Sequence, residues 1–177
     1  MKTFLPYTDP LKNYITKTKS LDRLANIADQ LPKLLLTGGV QKNIKSLKAN
    51  DLSVNSIVKN NNVRELNLAM VQLSFISHAY IWGAKTPSKV LPEVLAKPWV
   101  QVANTLGRPP ILSYASCCLD NWYRLNQREN ISLENVGLLT NFLGGVDEDW
   151  FVTIHVCIED AARDAITAAD AISKLNE

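Results

Sequence analysis

The side chains best suited to chemistry in this sequence are few. There are two histidines, His78 and His155, and three cysteines, of which Cys117 and Cys118 are adjacent. His155 stands four residues before Glu159 in a stretch that reads as helix, so an imidazole and a carboxylate share one face a turn apart, a spacing that acid–base chemistry could use. Glu159 is equally well spaced for a structural i,i+4 pair with Arg163. His155 also lies one turn beyond Phe151 and one turn before Ile158, so its ring must be satisfied by a partner or face a cavity. For His78, near the C-terminal end of another helical stretch, the helix dipole offers a sufficient role. Three cysteines with no CxxC spacing suggest neither a disulfide framework nor a zinc site, as expected in a reducing compartment. The sequence has no Walker A loop, GxGxxG, GxSxG or HExxH.

The element that must position His155 runs from Asp147 to Ile172. Asp147, Glu148 and Asp149 suit the positive end of a helix, with Asp147 or Asp149 as N-cap. The interior is apolar on nearly every side, the pattern of a helix buried in a core. Before it, Val136, Leu138, Thr140 and Phe142 alternate as a short extended segment would, ending at the turn Gly144-Gly145.

The rest of the chain is helical in period. Residues 1–19 have no period and read as an arm lying over a domain. Ser20 caps a helix with Leu21, Leu24, Ile27, Ala28 and Leu31 on one face, and Pro32 starts a fresh turn that Gly38-Gly39 ends. A short helix then buries Val40, Ile44 and Leu47. Residues 50–62, rich in Asn, read as a breaker. A long helix follows from Val63 to about Trp82, stopped by Gly83. Pro98 opens another, closed by Gly107, and after the extended Arg108-Pro109-Pro110 joint a further helix spans Ile111 to Trp122.

At 177 residues and 46% hydrophobic, the chain suits one domain with a real core, or one and part of another. Residues 1–100 carry 14 Lys and Arg against 6 Asp and Glu, and residues 101–177 carry 5 against 11. The lysines are scattered rather than gathered with aromatics on one face, so no nucleic acid is expected as partner. No run has signal-peptide or membrane-spanning length, so no membrane partner and a cytoplasmic location are expected.

Several runs together carry a resemblance: His78-Ala79-Tyr80-Ile81-Trp82-Gly83, Val90-Leu91-Pro92 with Pro98 after it, Pro109 to Ala115 through Asn121-Trp122, and Glu159-Asp160-Ala161-Ala162 with Ala165-Ile166. In collinear order over roughly residues 20–172, the chain resembles the indoleamine 2,3-dioxygenase family, heme enzymes that open the indole ring of tryptophan. The resemblance implies an all-α fold. Residues 20–125 would be a small helical domain and 126–177 the start of a larger, incomplete helical heme domain. It implies heme b as cofactor, with tryptophan or a related indole and O2 as substrates.

It also implies a distal pocket. Tyr114, Cys117 and Cys118 would line its inner end, Phe151 would pack on the indole, and His155 would stand above the iron. Val152 departs from the family, which often has a second aromatic there, and the lost stacking is worth about 0.5–1.5 kcal/mol. Family members continue well beyond the point matching Glu177. Their proximal histidine and substrate-binding arginine lie in that later part, so no metal ligand is expected here and a complementary C-terminal polypeptide would be a partner. The alternatives are a non-catalytic heme- or ligand-binding relative, and a helical interaction module without cofactor.

Overall fold

The computed structural model describes residues 4–174, so the ends of the expected arm and of the last expected domain lie outside the described residues. The expected all-α class is what is seen: eight α-helices, one π-turn and a single two-stranded ribbon among the described residues. Helices α1 (Lys19–Asp29), α2 (Leu31–Leu36), α3 (Val40–Lys45) and α4 (Asn55–Asn60) lead into the central α5 (Val63–Trp82), against which α6 (Glu93–Leu106) packs. The chain then makes a π-turn (Ala115–Leu119), β1 (Trp122–Arg124), β2 (Val136–Leu138), α7 (Val146–Ala161) and α8 (Arg163–Ser173).

The buried helix of the molecule is α5. Leu66, Ala69, Met70, Leu73, Phe75, Ile76 and Tyr80 are all buried in the main core with residues of α1, α3 and α6. Its N-cap Asn62 accepts from the Glu65 N–H and donates to the Glu65 carboxylate, a reciprocal lock that fixes where the helix begins. Tyr14 donates to Gln72 of α5 at 2.8 Å and the Arg64 guanidinium donates to the Asp9 carbonyl at 2.8 Å, so the irregular N-terminal segment is tied to this same helix.

Several local expectations are corrected. Thr18, not Ser20, caps α1, because the Ser20 hydroxyl donates to the Ser53 carbonyl at 2.7 Å. The Asn-rich stretch contains α4, which ends where Asn61 adopts left-handed geometry at φ 47°. Helix α6 starts at Glu93, right after Pro92, and carries Pro98 in its interior at the cost of one backbone hydrogen bond. Of the helix expected over Ile111–Trp122 only the π-turn forms. Asn121 turns the chain out of it: its Nδ2 donates to the Thr140 carbonyl and its Oδ1 accepts from the Thr140 N–H, both at 2.9 Å. That pairing aligns β1 antiparallel to β2, with Trp122 opposite Leu138 and Arg124 opposite Val136. The extended segment is therefore real at Val136–Leu138, while Thr140 and Phe142 lie beyond it.

Helix α7 is not the buried helix its composition suggests. It buries Val152, Thr153 and Val156, whereas Trp150, Phe151 and Ile158 remain more than half exposed. Apolar residues on every side bury a helix only where neighbours exist on every side, and α7 packs on β2 and the π-turn. Gly145 is its N-cap, with all three acids inside the first turn. Glu148 reaches back to accept the N–H groups of Phe142, Leu143 and Gly144 at 2.6, 2.8 and 3.0 Å, which fixes the incoming loop. The run to Ile172 is broken at Ala162 into α7 and α8, and α8 buries no residue. A second core joins α7 to the ribbon through Leu5, Cys118, Trp122, Val136, Val152 and Val156. Among the described residues no helix is long and apolar enough to cross a membrane.

Candidate functional site

His155 sits mid-way along α7, where its Nδ1 lies 2.5 Å from the Phe151 carbonyl oxygen one turn back. A carbonyl oxygen only accepts, so Nδ1 carries the hydrogen, and in the neutral ring Nε2 keeps its lone pair. Two aromatic rings lie against it. The Phe151 ring lies at 4.5 Å between centroids, tilted by 46°, and the Tyr114 ring at 5.9 Å, edge-on at 74°.

Tyr114 is placed by the chain entering the π-turn, and its hydroxyl donates to Glu159 Oε1 at 2.8 Å. Desolvation against α7, and after it the hydrogen bond to the Glu159 carboxylate, hold that hydroxyl well above its ordinary value of 10.0. Tyr114 is thus a neutral donor at physiological pH. Glu159 is not paired with Arg163, whose guanidinium goes to Asp160 instead.

Beside this trio a cavity of about 430 Å³ opens between α5, the π-turn, the loop before α7, and α7 itself. Phe75, Cys117, Phe142, Phe151 and Val152 give it an apolar lining, and Glu148 stands at its edge. Phe75 and Phe142 stack with centroids 4.5 Å apart. Of the six expected site residues, Cys117, Phe151 and Val152 share this cavity, while His155 lies against Phe151 and Tyr114 against His155. Cys118 is turned into the second core at 1% exposure. Its thiol is pushed up by its contact with Cys117 and by burial, and Cys117 is lowered by the hydrogen bond between them.

Phe75, Phe142 and Glu148 complete the site and were not assigned to it from sequence, whereas Glu159 was paired with His155 by spacing and is found bonded to Tyr114. Phe142 was legible only as part of an extended segment and Phe75 carried no signal of its own, since spacing does not show that two distant rings meet over a cavity. The other histidine, His78, sits elsewhere. Its Nδ1 lies 3.0 Å from the Ser74 carbonyl, its ring meets the Trp99 ring edge-on, and it lines a separate apolar cavity of about 380 Å³ with Leu35, Trp82, Gly83 and Phe142. Among the described residues no group of three His, Cys, Asp or Glu could hold a metal ion.

A family model described as Indoleamine 2,3-dioxygenase matches residues 1–177. The chain is 33% identical over 156 residues to indoleamine 2,3-dioxygenase 1 of Rattus norvegicus, covering 85% of this chain and 36% of that protein. To indoleamine 2,3-dioxygenase of Saccharomyces cerevisiae it is 35% identical over 148 residues, covering 80% and 32%. It is also 28% identical over 156 residues to a protein named myoglobin of Haliotis diversicolor, covering 87% and 36%. The chain therefore spans about a third of the length of these relatives, 36%, 32% and 36% in turn.

Proposed function

Because this chain belongs to the indoleamine 2,3-dioxygenase family, we propose that it forms the N-terminal part of a heme-dependent dioxygenase. In this reading O2 opens the indole C2–C3 bond of tryptophan or a related indoleamine, giving N-formylkynurenine. Residues 1–19 are an arm, residues 20–125 a small helical domain, and residues 126–177 the beginning of the heme-binding domain. The observation that carries the reading is the α7 face, where one imidazole, its Nδ1 committed to the Phe151 carbonyl, stands against two aromatic rings beside an apolar cavity.

These residues fit one face of a heme. Phe151 and Ile158 present exposed apolar surface about one turn on either side of His155, whose ring meets the Phe151 carbonyl and the ring of Tyr114, itself bonded to Glu159. Heme b, when bound, supplies the activation of O2 and the insertion of both its atoms into the substrate. The chain's own residues do the rest. Phe151 packs on the indole, while Phe75 and Phe142 close the far wall against water. His155, with Nδ1 committed to the Phe151 carbonyl, accepts the indole N–H at Nε2. Tyr114, fixed by Glu159, holds the imidazole in place from the other side.

No second imidazole stands on this face among the described residues, since His78 lines a different cavity. The chain alone is therefore expected to be inactive and to need a C-terminal complementary polypeptide. The test is to add hemin, record the Soret band, and assay N-formylkynurenine with and without that polypeptide. Product formed only by the pair supports the reading, and turnover by the 177-residue chain alone would overturn it.

The similarity to a protein named myoglobin favours a second reading, a heme-binding relative without dioxygenase activity. His155 would then be the residue that holds the heme iron, through Nε2, its Nδ1–H bonded to a carbonyl as metal-bound histidines commonly are. A stoichiometric heme spectrum in the chain alone, lost in His155→Ala, is the outcome that separates this reading from the first.

A further inference from the structure

The three cysteines are not equivalent. Cys118 is sealed in the second core at 1% exposure, and Cys157, half-buried on α7, has its thiol pushed up by burial and by Asp160. Cys117 is half-buried and lines the α7 cavity, facing the rings of Phe75, Phe142 and Phe151.

We propose that Cys117 is a modification site, a thiol in the cavity wall that adds to small apolar electrophiles bearing an activated alkene. Access and selection come from the cavity: it opens to solvent, and its aromatic lining favours an apolar reagent over a charged one. Activation comes from the neighbouring residue. The hydrogen bond with Cys118 favours the Cys117 thiolate, while burial and the Glu148 carboxylate oppose it. The π-turn matters here because it places two successive cysteines so that Cys117 lines the cavity while Cys118 is sealed in the second core.

In the reaction the Cys117 thiolate forms an Sγ–C bond to the β-carbon of the alkene. The carbon–carbon π bond breaks, its electron pair moves onto the adjoining carbonyl, and a proton from water completes the adduct. Nothing is oxidised and no group leaves. The adduct fills the cavity, so modification excludes any other occupant. The assignment uses the cavity of the proposed indole site, but it rests on the thiol's position and not on heme or turnover.

The experiment is timed labelling of the folded 177-residue chain with N-ethylmaleimide, followed by peptide mapping with fragment ions that separate Cys117 from Cys118. Adducts on Cys117 are expected at least about ten-fold faster than on Cys118 or Cys157. In Cys117→Ser the fast phase disappears, and in Cys118→Ala it slows. A sulfonated maleimide labels Cys117 more slowly than N-ethylmaleimide does, a difference absent in the unfolded chain. First labelling of Cys157 or Cys118, or equal rates at all three, would overturn the proposal. Added L-tryptophan separates the two readings. Slower labelling of Cys117 supports both, whereas undiminished fast labelling leaves the thiol assignment standing and counts against the indole site.

Discussion

The Tyr114 hydroxyl ties the π-turn to α7 through a single contact, the 2.8 Å hydrogen bond to Glu159, and that contact has a pH signature. A phenol whose folded value is raised contributes stability that is fully present below its ordinary value of 10.0 and lost as pH rises through the raised one. Two phenols are therefore expected to titrate late in an ultraviolet phenolate titration, that of Tyr14, pushed up by burial and by Glu65, and that of Tyr114, and only the Tyr114 phenol is expected to be missing in Tyr114→Phe. Glu159→Gln should bring it down only part of the way, because burial is the larger cause. Loss of an ordinary phenol in Tyr114→Phe, with the number of late ones unchanged, would show that the contact does not form. Val152 carries a second prediction. The family resemblance marks it as a lost aromatic, but it is 2% exposed and packed in the second core. Val152→Phe is thus expected to cost about 1–3 kcal/mol by overpacking, read from the urea midpoint, instead of simply improving an indole's grip. That conflict was invisible in the sequence, where Val152 had a family role and no neighbours.

Elements whose signals are local were legible, and elements that depend on a distant partner were not. Helix α5 was readable from Val63 to Trp82 because its period, the Asn-rich breaker before it and its Gly83 stop are all local, although the capping role of Asn62 was not read. Gly83 is required there by close approach: a Cβ would sit 2.4 Å from the Ala79 carbonyl oxygen and 2.5 Å from Leu35 Cδ2. The Ile111–Trp122 segment was misread because its helix is ended by Asn121 pairing with Thr140, a contact across 19 residues that no local period records. The first turn of α7 was misread for a related reason. Its acids looked like caps, but Glu148 serves the loop in front of the helix. Removing that acceptor in Glu148→Ala strands three N–H groups and should cost about 1–3 kcal/mol by urea unfolding, with faster hydrogen exchange confined to the Phe142–Gly144 amides. Unchanged exchange there would refute the role.

At the scale of the whole molecule, the two cores are unequal. The core around α5 is the larger and draws on α1, α3, α4 and α6, while Leu143, Val146, Trp150, Phe151, Ile158 and Ile172, in the loop before α7 and on α7 and α8, are each more than half exposed. Exposed apolar surface of this extent drives association. Sedimentation of the isolated chain is therefore expected to show concentration-dependent association, weakened by Ile158→Glu with little loss of melting temperature; a monomer at every concentration would argue against it. Phe142 connects the larger core to the α7 cavity. Its ring borders both the cavity holding His78 and the cavity holding Phe151, and its N–H is held by Glu148. A wall shared by two chambers makes their volumes interdependent: a swing of this ring that enlarges one diminishes the other, so whatever fills the chamber at α7 is felt, as a change of room, at the far end of α5.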